Sequence, residues 1–369
     1  MQTAVAALVA FLIAGCSPSN EIPVNPSVSA PTRVMLKENV NVYLKGVGSG
    51  TTFTVDFGDG TTVEAVTPSA AVHAYSESAD WKISVSSEAL DEDFSKTIRC
   101  YPLEALSSAQ RNFRDPSYKK IWVLTHRAHT TDKSIPENSI SAVKAAIASG
   151  AEALECDTQR TKDGKIVICH DLSINRTTNG TGDVPSLTLA EIKSYKLVDR
   201  NGNVTNETMP TLEEFLKACR GKIYVDLDYS PRTASTAEVM AVVEKLGMME
   251  QVWCYCNSVE KCKEVLAISP RAHAYTWATA YEPLKGLEGP YFVQYSYSPS
   301  SGSTSIGTAV RDGMLCSVCM LSVLNNKIPE YDVDGAQLDE LISVFPDVKM
   351  IMTDAPEKLI NALSERGRR

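Results

Sequence analysis

The stretch ALECDTQRTKDGKIVICHD, residues 153–171, contains two strand-like segments joined by a turn. Asp163 and Gly164 stand between the alternating segments ALECDTQR and KIVICHD. A type I′ turn needs φ > 0 at both central residues, so Asp-Gly in this position strongly favours a two-residue hairpin loop. With such a loop, Lys162 faces Lys165. The sequence therefore predicts an antiparallel hairpin.

Three residues of this hairpin carry groups that bind metals or transfer protons. Counting along the predicted ladder places Asp157 opposite His170. Because side chains alternate across a strand, Glu155 and Asp157 share one face, and His170 joins them from the partner strand. We therefore predict one cluster, and the alternative is a solvated hairpin face. A register shift of one residue would move His170 to the opposite face.

From residue 121 onward, strand-like segments alternate with helical ones. SISAVKAAIASG, for example, has apolar residues at helical spacing and then Gly150 at a C-cap position. Setting aside the KIVICHD partner, eight segments have strand character: IWVLTHRA (121–128), ALECDTQ (153–159), KIYVDLDY (222–229), VWCYC (252–256), AHAYTWA (272–278), YFVQYSY (291–297), LCSVCML (315–321) and VKMIMTD (348–354). Eight strands with intervening helices over roughly 250 residues predict an α/β TIM barrel. An open doubly wound sheet is the alternative.

Polar side chains end the first three of these strands. They are His126 and Arg127, Glu155 and Asp157, and Asp226 and Asp228. In a TIM barrel the C-terminal ends of the strands form the active site. The i, i+2 spacing also gives each carboxylate pair a common face. We therefore expect these groups and His170 to converge on one rim of the barrel.

This combination of residue types indicates phosphodiester cleavage. Carboxylate oxygens are hard ligands that favour Mg²⁺ or Ca²⁺ over zinc, and such an ion polarises a phosphoryl oxygen. Arg127 offers a guanidinium that matches a phosphate. His126 and His170 can serve as general base and general acid near neutral pH. A lone His-Arg or His-Asp dipeptide is more simply a surface pair, so the convergence of three strand ends favours a site.

The N-terminus reads MQTAVAALVAFLIAGC and continues as SPSNEIPVNPS. Its apolar run is too short for a spanning helix, and small residues precede Cys16. Residues 1–16 resemble a bacterial lipoprotein signal peptide with its lipobox, although no Lys or Arg precedes the apolar run. The resemblance implies lipidation of Cys16, a membrane anchor, and a periplasmic or surface-exposed location in the cell envelope. The alternative is a short membrane anchor.

Two regions separate this segment from the barrel. Residues 17–33 are rich in Ser, Pro and Asn, which predicts a linker. Residues 34–102 contain short alternating strands and turn signals, which predict a small all-β, immunoglobulin-like sandwich. Within it, VDFGDGTTV and HAYSESADWKISV resemble the PKD (polycystic kidney disease) domain, an extracellular spacer or adhesion module, with Val55 replacing the usual tryptophan. Residues 118–369 would then form the barrel domain.

Composition limits the classes of function. The 369 residues are 43% hydrophobic and 22% charged, which is typical of globular proteins, and the length suffices for two domains with their own cores. The formal net charge of −9 argues against nucleic acid as a partner. A small-molecule phosphodiester is the expected partner.

Four segments together resemble the glycerophosphodiester phosphodiesterases. They are THRAHTTDKSIPENSISA, LECDTQRTKDGKIVICHDLSINRTTNGTG, MPTLEEFLKAC and MIMTDAPEKL. The match is close over residues 121–220 and looser beyond them. The resemblance implies a TIM barrel that hydrolyses glycerol-phosphate diesters to sn-glycerol 3-phosphate and an alcohol. It also implies a two-step route, in which a glycerol hydroxyl attacks phosphorus and water then opens the cyclic phosphate.

The same resemblance implies roles for individual residues. His126 and His170 would be the acid–base pair, and Arg127 would bind phosphate. The divalent cation, Mg²⁺ or Ca²⁺, would be held by three carboxylates: Glu155, Asp157 and Asp226.

Three positions depart from the family pattern. Ala128 replaces a glycine, where its methyl group would crowd the backbone near the substrate. Asp226 stands where the family has Glu and is one methylene shorter. Asp228 stands where the family has Lys, so it would modify the charge that faces the phosphate. Asp228 therefore leaves two alternatives open: a phosphodiesterase for another head group, such as an inositol- or sugar-phosphate diester, or a surface binding protein of weak activity.

Overall fold

The computed structural model describes residues 26–228, 233–277, 291–296, 307, 311, 315–319 and 335–369. Cys16 and the segment that resembles a signal peptide, residues 1–16, lie outside these residues. None of the described helices has the length and apolar character needed to cross a membrane.

Two sheets form the N-terminal part of the described chain. Their strands are β1 Ser27–Ser29, β2 Arg33–Leu36, β3 Val40–Lys45, β4 Thr52–Asp56, β5 Thr62–Val66, β6 Ala71–His73, β7 Asp80–Ser86 and β8 Phe94–Glu104. One sheet has the order β2-β8-β7-β4-β5 and the other β1-β3-β6. The prediction of a linker over residues 17–33 is wrong at its C-terminal end, because β1 pairs with β3 and Val28 packs against the core.

The DFGDG segment forms the turn between β4 and β5. Asp56 Oδ1 accepts a hydrogen bond from Gly58 N at 2.8 Å, and Asp59 Oδ1 accepts one from Thr61 N at 3.0 Å. Asp59 Oδ2 also lies 2.6 Å from His73 Nε2. These acidic side chains therefore hold the turn and tie it to β6.

Gly58 and Gly60 test how strongly this turn depends on glycine. Their φ angles are 79° and 92°, a region that costs an L side chain about 1–2 kcal/mol. A Cβ at Gly58 would lie 2.5 Å from the carbonyl oxygen of Lys82, whereas one at Gly60 would meet nothing within 4 Å. We expect Gly58→Ala to lower the free energy of unfolding by about 2 kcal/mol more than Gly60→Ala, because only Gly58→Ala adds overpacking strain. Urea denaturation measures the difference, and equal losses would contradict this explanation.

Eight parallel strands close into a barrel. They are β9 Trp122–Thr125, β10 Ala153–Arg160, β12 Tyr224–Asp228, β13 Val252–Cys256, β14 Ala274–Trp277, β15 Tyr291–Ser296, β16 Leu315–Cys319 and β17 Met350–Thr353, and β11 Ile166–Ile168 is the antiparallel hairpin partner of β10. The barrel closes because β9 pairs with both β17 and β10. The TIM-barrel prediction is therefore confirmed, and the open sheet is wrong.

Helices pack on the outside of the barrel. The described helices are α1 Leu106–Phe113, α2 Ile140–Ser149, α3 Leu189–Ser194, α4 Leu212–Cys219, α5 Thr236–Lys245, α6 Val259–Ile268, α7 Ala336–Val344 and α8 Pro356–Glu365. Val123 of β9 packs with the helices, whereas its neighbours Trp122 and Leu124 join the cluster inside the barrel. As predicted, Gly150 is the C-cap residue of α2, and its φ is 84°.

Helix α1 fills one end of the barrel and differs from the others in this respect. Leu106 and Phe113 pack in the same cluster as Trp122 and Tyr224, residues at the starts of their strands. Tyr224 Oη also donates to the carbonyl oxygen of Glu104 at 2.7 Å. The predicted domain boundaries at residues 102 and 118 leave this helix unassigned. Because α1 occupies the N-terminal end of the barrel, the C-terminal end is left for a site.

The hairpin loop after β10 has three residues, not the predicted two. Thr161 N donates to Lys165 O at 2.8 Å across the loop. Gly164 has a φ of 75°, which is typical of a type I turn followed by a left-handed glycine. The extra loop residue shifts the register by one.

This shift changes the partner of Asp157. Arg160 pairs with Ile166, and Cys169 N donates to Asp157 O at 3.0 Å. The predicted pairing of Asp157 with His170 is therefore wrong. His170 follows the end of β11, so strand alternation does not determine its direction.

Candidate active site

Three carboxylates meet at the C-terminal ends of β10 and β12. Oxygen atoms of Glu155, Asp157 and Asp228 lie within 4.8 Å of one another. Glu155 and Asp157 are almost fully buried, and Asp228 is partly exposed. Asp157 and Asp228 are direct partners in the parallel register of the two strands. The group is open to solvent on one side, as a site for a hydrated cation requires.

Asp226, the predicted third metal ligand, is outside this group of three. It pairs with Glu155 in the register and lies two residues before Asp228, about 6.6 Å deeper along the strand. It is fully buried, and Tyr275 Oη donates to its Oδ2 at 2.5 Å. Burial raises the pKa of Asp226 well above its usual range. The i, i+2 spacing is therefore correct, but Asp228 is the member that reaches the rim.

Burial and like charge make a cation favourable here. The pKa of Glu155 is raised well above its usual range by burial and by the neighbouring carboxylates of Asp157, Asp228 and Asp226. Carboxylates this close repel one another when ionised. A divalent ion would relieve that repulsion, and three carboxylate ligands suit Mg²⁺ or Ca²⁺.

Residues after β9 support the carboxylates from the opposite side. Arg127 N donates to Glu155 Oε2 at 2.8 Å, and Asn138 Nδ2 donates to Asp157 Oδ2 at 3.0 Å. Arg127 Nε lies 3.9 Å from the same Asp157 oxygen. The loop that carries Arg127 is thus fixed against both carboxylates.

This loop has an unusual backbone. Arg127, Ala128 and Asn138 have φ angles of 50°, 53° and 55°, a region that is strained for residues other than glycine and is typical of functional sites. Asn138 N donates to Arg127 O at 2.9 Å, which joins the two strained segments. The Ala128 methyl group, predicted to crowd the backbone near the substrate, is instead buried among the apolar residues of the core.

His126 is held by a carboxylate from the last strand of the barrel. Its Nδ1 lies 2.9 Å from Asp354 Oδ1, and His129 Nδ1 lies 2.7 Å from the same oxygen. Burial raises the pKa of Asp354, but the two histidines outweigh it and hold this pKa well below its usual range. Asp354 is therefore an anion that orients His126.

His170 is oriented by a second carboxylate. Its Nδ1 lies 2.7 Å from Asp171 Oδ1, and Gln159 Nε2 donates to the His170 carbonyl oxygen at 3.3 Å. His126 and His170 therefore have the same arrangement, in which a carboxylate contacts Nδ1. A histidine fixed in this way through Nδ1 exchanges protons at Nε2.

Charged contacts link Asp171 to the other side of the site. Arg176 Nε donates to Asp171 Oδ2 at 2.7 Å, and its two terminal nitrogens donate to Glu137 at 2.6 and 2.8 Å. Glu137 Oε1 lies 3.5 Å from Arg127 Nη1. Although burial raises the pKa of Glu137, these cations hold it well below its usual range. A continuous network thus connects His170 to Arg127.

Arg176→Ala should destabilise the protein by about 2–3 kcal/mol, because it leaves the Glu137 carboxylate without its bidentate partner in a buried position. Glu137 is 7% exposed. Thermal or urea unfolding measures the loss.

Arg160→Ala is the matched control. Arg160 Nε also lies 2.7 Å from a carboxylate, that of Glu238, and the two arginines have similar exposures of 42% and 47%. Glu238 is 39% exposed, so this pair should contribute less than about 1 kcal/mol. Equal losses in the two variants would show that burial of Glu137 has no such effect.

Sequence reasoning gives no role to four residues of this site: Glu137, Asn138, Arg176 and Asp354. Each lies in a quoted segment, namely PEN, RTTNGTG or TDAP, so the motifs carry a signal. The sequence favours an exposed loop position for His129, but its side chain is largely buried.

Residues 126–296 match the model of the glycerophosphoryl diester phosphodiesterase family. The chain is 40% identical over 107 residues to a glycerophosphodiester phosphodiesterase of Caldanaerobacter subterraneus subsp. tengcongensis, a match that covers 29% of this chain and 43% of the relative. It is 27% identical over 205 residues to the probable glycerophosphodiester phosphodiesterase 1 of Mycobacterium tuberculosis. This match covers 51% of this chain and 72% of that relative. The chain spans less than half of the length of the Caldanaerobacter relative and of the two curated relatives that match next.

Solved structures share the fold. The structure is similar to a glycerophosphoryl diester phosphodiesterase from Parabacteroides distasonis, with a TM-score of 0.62 and 21% identity over 72% of this chain and 94% of that one. It is also similar to an Oleispira antarctica phosphodiesterase in complex with the product sn-glycerol-3-phosphate. The TM-score of that similarity is 0.53 at 18% identity, and the match covers 66% of this chain and 96% of the Oleispira protein.

Proposed function

Because residues 126–296 match the model of the glycerophosphoryl diester phosphodiesterase family, we propose that this chain hydrolyses glycerophosphodiesters to sn-glycerol 3-phosphate and an alcohol. The observation that carries the proposal is the convergence of three carboxylates and two carboxylate-held histidines at one end of the barrel. These are the groups that a metal-assisted phosphodiester cleavage requires.

Glu155, Asp157 and Asp228 would hold the divalent cation. A bound Mg²⁺ or Ca²⁺ supplies Lewis-acid polarisation of a phosphoryl oxygen. Asp228 takes the place that the sequence assigned to Asp226, so its negative charge serves the cation and not the phosphate. The sequence suggested weak activity because the negative charge of Asp228 would face the phosphate. With Asp228 as a cation ligand, that reason no longer applies.

His126 and His170 would transfer the protons. Asp354 and Asp171 fix the imidazole rings through Nδ1, so each ring would accept or donate a proton at Nε2 during the reaction. One histidine takes the proton of the attacking glycerol hydroxyl, and the other donates a proton to the leaving alcohol. Water then opens the cyclic phosphate with the roles reversed.

Arg127 would contact the phosphate. Its guanidinium lies between Glu137 and Asp157, with contacts of 3.5 and 3.9 Å. These distances are longer than those of a bidentate ion pair, so a phosphate can compete for its donors. Arg127 would therefore contact both the phosphate of the substrate and the carboxylates of Glu137 and Asp157.

A panel of diesters tests the substrate class. The chain from residue 17 onward would be incubated with glycerophosphocholine, glycerophosphoethanolamine, glycerophosphoinositol and inositol- or sugar-phosphate diesters that lack glycerol. We expect release of sn-glycerol 3-phosphate from at least one glycerol diester. Cleavage of only the diesters without glycerol would favour the alternative phosphodiesterase, and no cleavage by a folded, cation-binding protein would favour a binding protein.

We also propose that Cys16 carries a lipid that anchors the chain in the cell envelope, with the PKD-like sandwich as a spacer. The support is the apolar run and the small residues before Cys16. Labelling of bacterial cells that express the full chain with a fatty-acid analogue should mark the wild type and not Cys16→Ala. Equal labelling of the two, or labelling of neither, would contradict the anchor.

A further inference from the structure

A second group of metal ligands lies beside the three carboxylates, and it has different donor chemistry. His126, His129 and Asp354 offer ligand atoms that lie within 4.8 Å of one another. We propose that these three residues form a binding site for a transition metal ion such as Zn²⁺. The site is separate from the group of Glu155, Asp157 and Asp228, which consists of oxygen ligands alone.

The strand register brings the ligands together. Thr125 and Thr353 are partners at the ends of β9 and β17, and His126 and Asp354 each follow directly after these strands. His129 follows one 3₁₀ turn later, at the end of the segment His126–Ala128. Two of the three ligands therefore leave adjacent barrel strands at the same level, so their positions are fixed by the sheet.

The distances suit a small ion. The two Nδ1 atoms lie 2.9 and 2.7 Å from the same Asp354 oxygen, and the imidazole rings are inclined at 80° to each other. Zinc–nitrogen bonds of about 2.0–2.1 Å in a tetrahedral site place ligand atoms about 3.3 Å apart. Entry of an ion therefore needs shifts of only about 0.5 Å, within the reach of side-chain rotation.

Donor type determines which ion is favoured. Two imidazole nitrogens and one carboxylate oxygen select Zn²⁺ or Co²⁺ over Mg²⁺ and Ca²⁺, which prefer oxygen. The histidine side chains are 12% and 11% exposed and Asp354 is 37% exposed, so an ion and a water ligand can enter from the side of Asp354. Glu137 Oε2 lies 3.7 Å from His129 Nε2, so a shift of a few tenths of an ångström would let this carboxylate orient His129 as a metal ligand.

Occupation of this site would inhibit the enzyme. While Nδ1 of His126 binds a metal ion, Nε2 keeps its proton and His126 cannot accept another, so Zn²⁺ should lower the rate even when Mg²⁺ or Ca²⁺ saturates the three carboxylates. This consequence rests on the proposed function, whereas metal binding itself does not.

Cobalt absorption tests binding without any substrate. Co²⁺ held by imidazole nitrogens in a four-coordinate site absorbs visible light far more strongly than Co²⁺ surrounded by six oxygens. The full chain would be titrated with Co²⁺ and then with Zn²⁺. We expect an intense visible band that Zn²⁺ removes. Absence of this band would overturn the proposal.

Variants identify the ligands. His129→Asn and, separately, Asp354→Asn should weaken Co²⁺ binding at this site by more than about 100-fold, which exceeds the typical loss when a residue that only contacts a ligand is changed. Glu155→Gln should keep the band, because it alters only the oxygen site. His170→Asn is the matched control, since this histidine of the same barrel end is outside the group. A band retained in both folded variants of the site, or lost in Glu155→Gln, would overturn the assignment.

Inhibition supplies a second readout. With saturating Mg²⁺, wild-type hydrolysis should fall at least tenfold on addition of Zn²⁺, and His129→Asn should keep most of its own uninhibited rate. Equal sensitivity of the two proteins would contradict inhibition through this site. If the wild type hydrolyses no diester, the proposed function fails, and the cobalt band still decides whether the metal site exists.

Discussion

His126→Ala should lower kcat/KM for glycerophosphodiester hydrolysis by about 10²–10⁴-fold, the usual contribution of a positioned general acid or base. The reason is structural: Asp354 contacts His126 Nδ1 at 2.9 Å, which fixes the ring for proton transfer at Nε2. Alanine removes the proton-transfer group but leaves the three carboxylates in place. Steady-state rates with the best diester of the panel measure the effect.

His73→Ala is the control for this prediction. His73 belongs to β6 of the N-terminal sheets and contacts Asp59 at 2.6 Å, far from the barrel in sequence and outside the proposed site. Its replacement should leave the rate unchanged under conditions where the protein is folded. A loss of less than tenfold in His126→Ala, with cation binding retained, would exclude His126 as a general acid or base.

A divalent cation should raise the thermal stability of the wild type, and Glu155→Gln should lose most of that gain. Glu155, Asp157 and Asp228 repel one another when ionised, so the cation-free protein holds unfavourable charge at the rim. An ion at 100 times its dissociation constant stabilises the folded state by about 2.7 kcal/mol, which corresponds to a rise in Tm of several degrees. Thermal unfolding in Mg²⁺, Ca²⁺ and EDTA measures it.

Glu155→Gln should also unfold at a higher temperature than the wild type when EDTA is present, because one of the repelling charges is gone. The matched control is Glu64→Gln, which removes an exposed carboxylate of β5 and should leave the effect of the cation unchanged. A cation response that is identical in the wild type and Glu155→Gln would place the ion elsewhere.

The barrel is predictable from the sequence because its signals are local. Each strand is a short apolar segment, and helix α2 carries both its apolar spacing and the glycine that ends it. The strand ends then follow from topology, since parallel strands bring their C-terminal ends to one rim. Strand order and apolar spacing therefore suffice to place His126 and Glu155 in one site.

The hairpin register cannot be predicted from Asp163 and Gly164 alone. Asp-Gly suits both a type I′ loop and a three-residue loop with a left-handed glycine. The choice depends on contacts beyond the turn: Thr161 Oγ1 accepts from Lys165 N at 2.9 Å, and Asp163 Oδ1 accepts from Leu189 N at 3.0 Å. The second contact comes from a residue distant in sequence.

The third carboxylate and the charged network escape prediction for related reasons. Asp226 and Asp228 share a face, but the pattern does not show which of them lies at the rim. That depth depends on the register with β10, in which Asp157 pairs with Asp228. The pair of Glu137 and Arg176 joins residues 39 positions apart, so no local pattern reveals it.

Phosphorus NMR of glycerophosphocholine incubated with the protein tests the central proposal most directly. In the presence of Mg²⁺ or Ca²⁺, we expect the diester signal to be replaced by that of sn-glycerol 3-phosphate. EDTA should stop the conversion, and His170→Ala should slow it by about 10²–10⁴-fold. Conversion that continues unchanged in EDTA or in folded His170→Ala would contradict the proposed mechanism. Persistence of the diester signals of the entire panel, with folded wild type and saturating cation, would contradict the proposed activity.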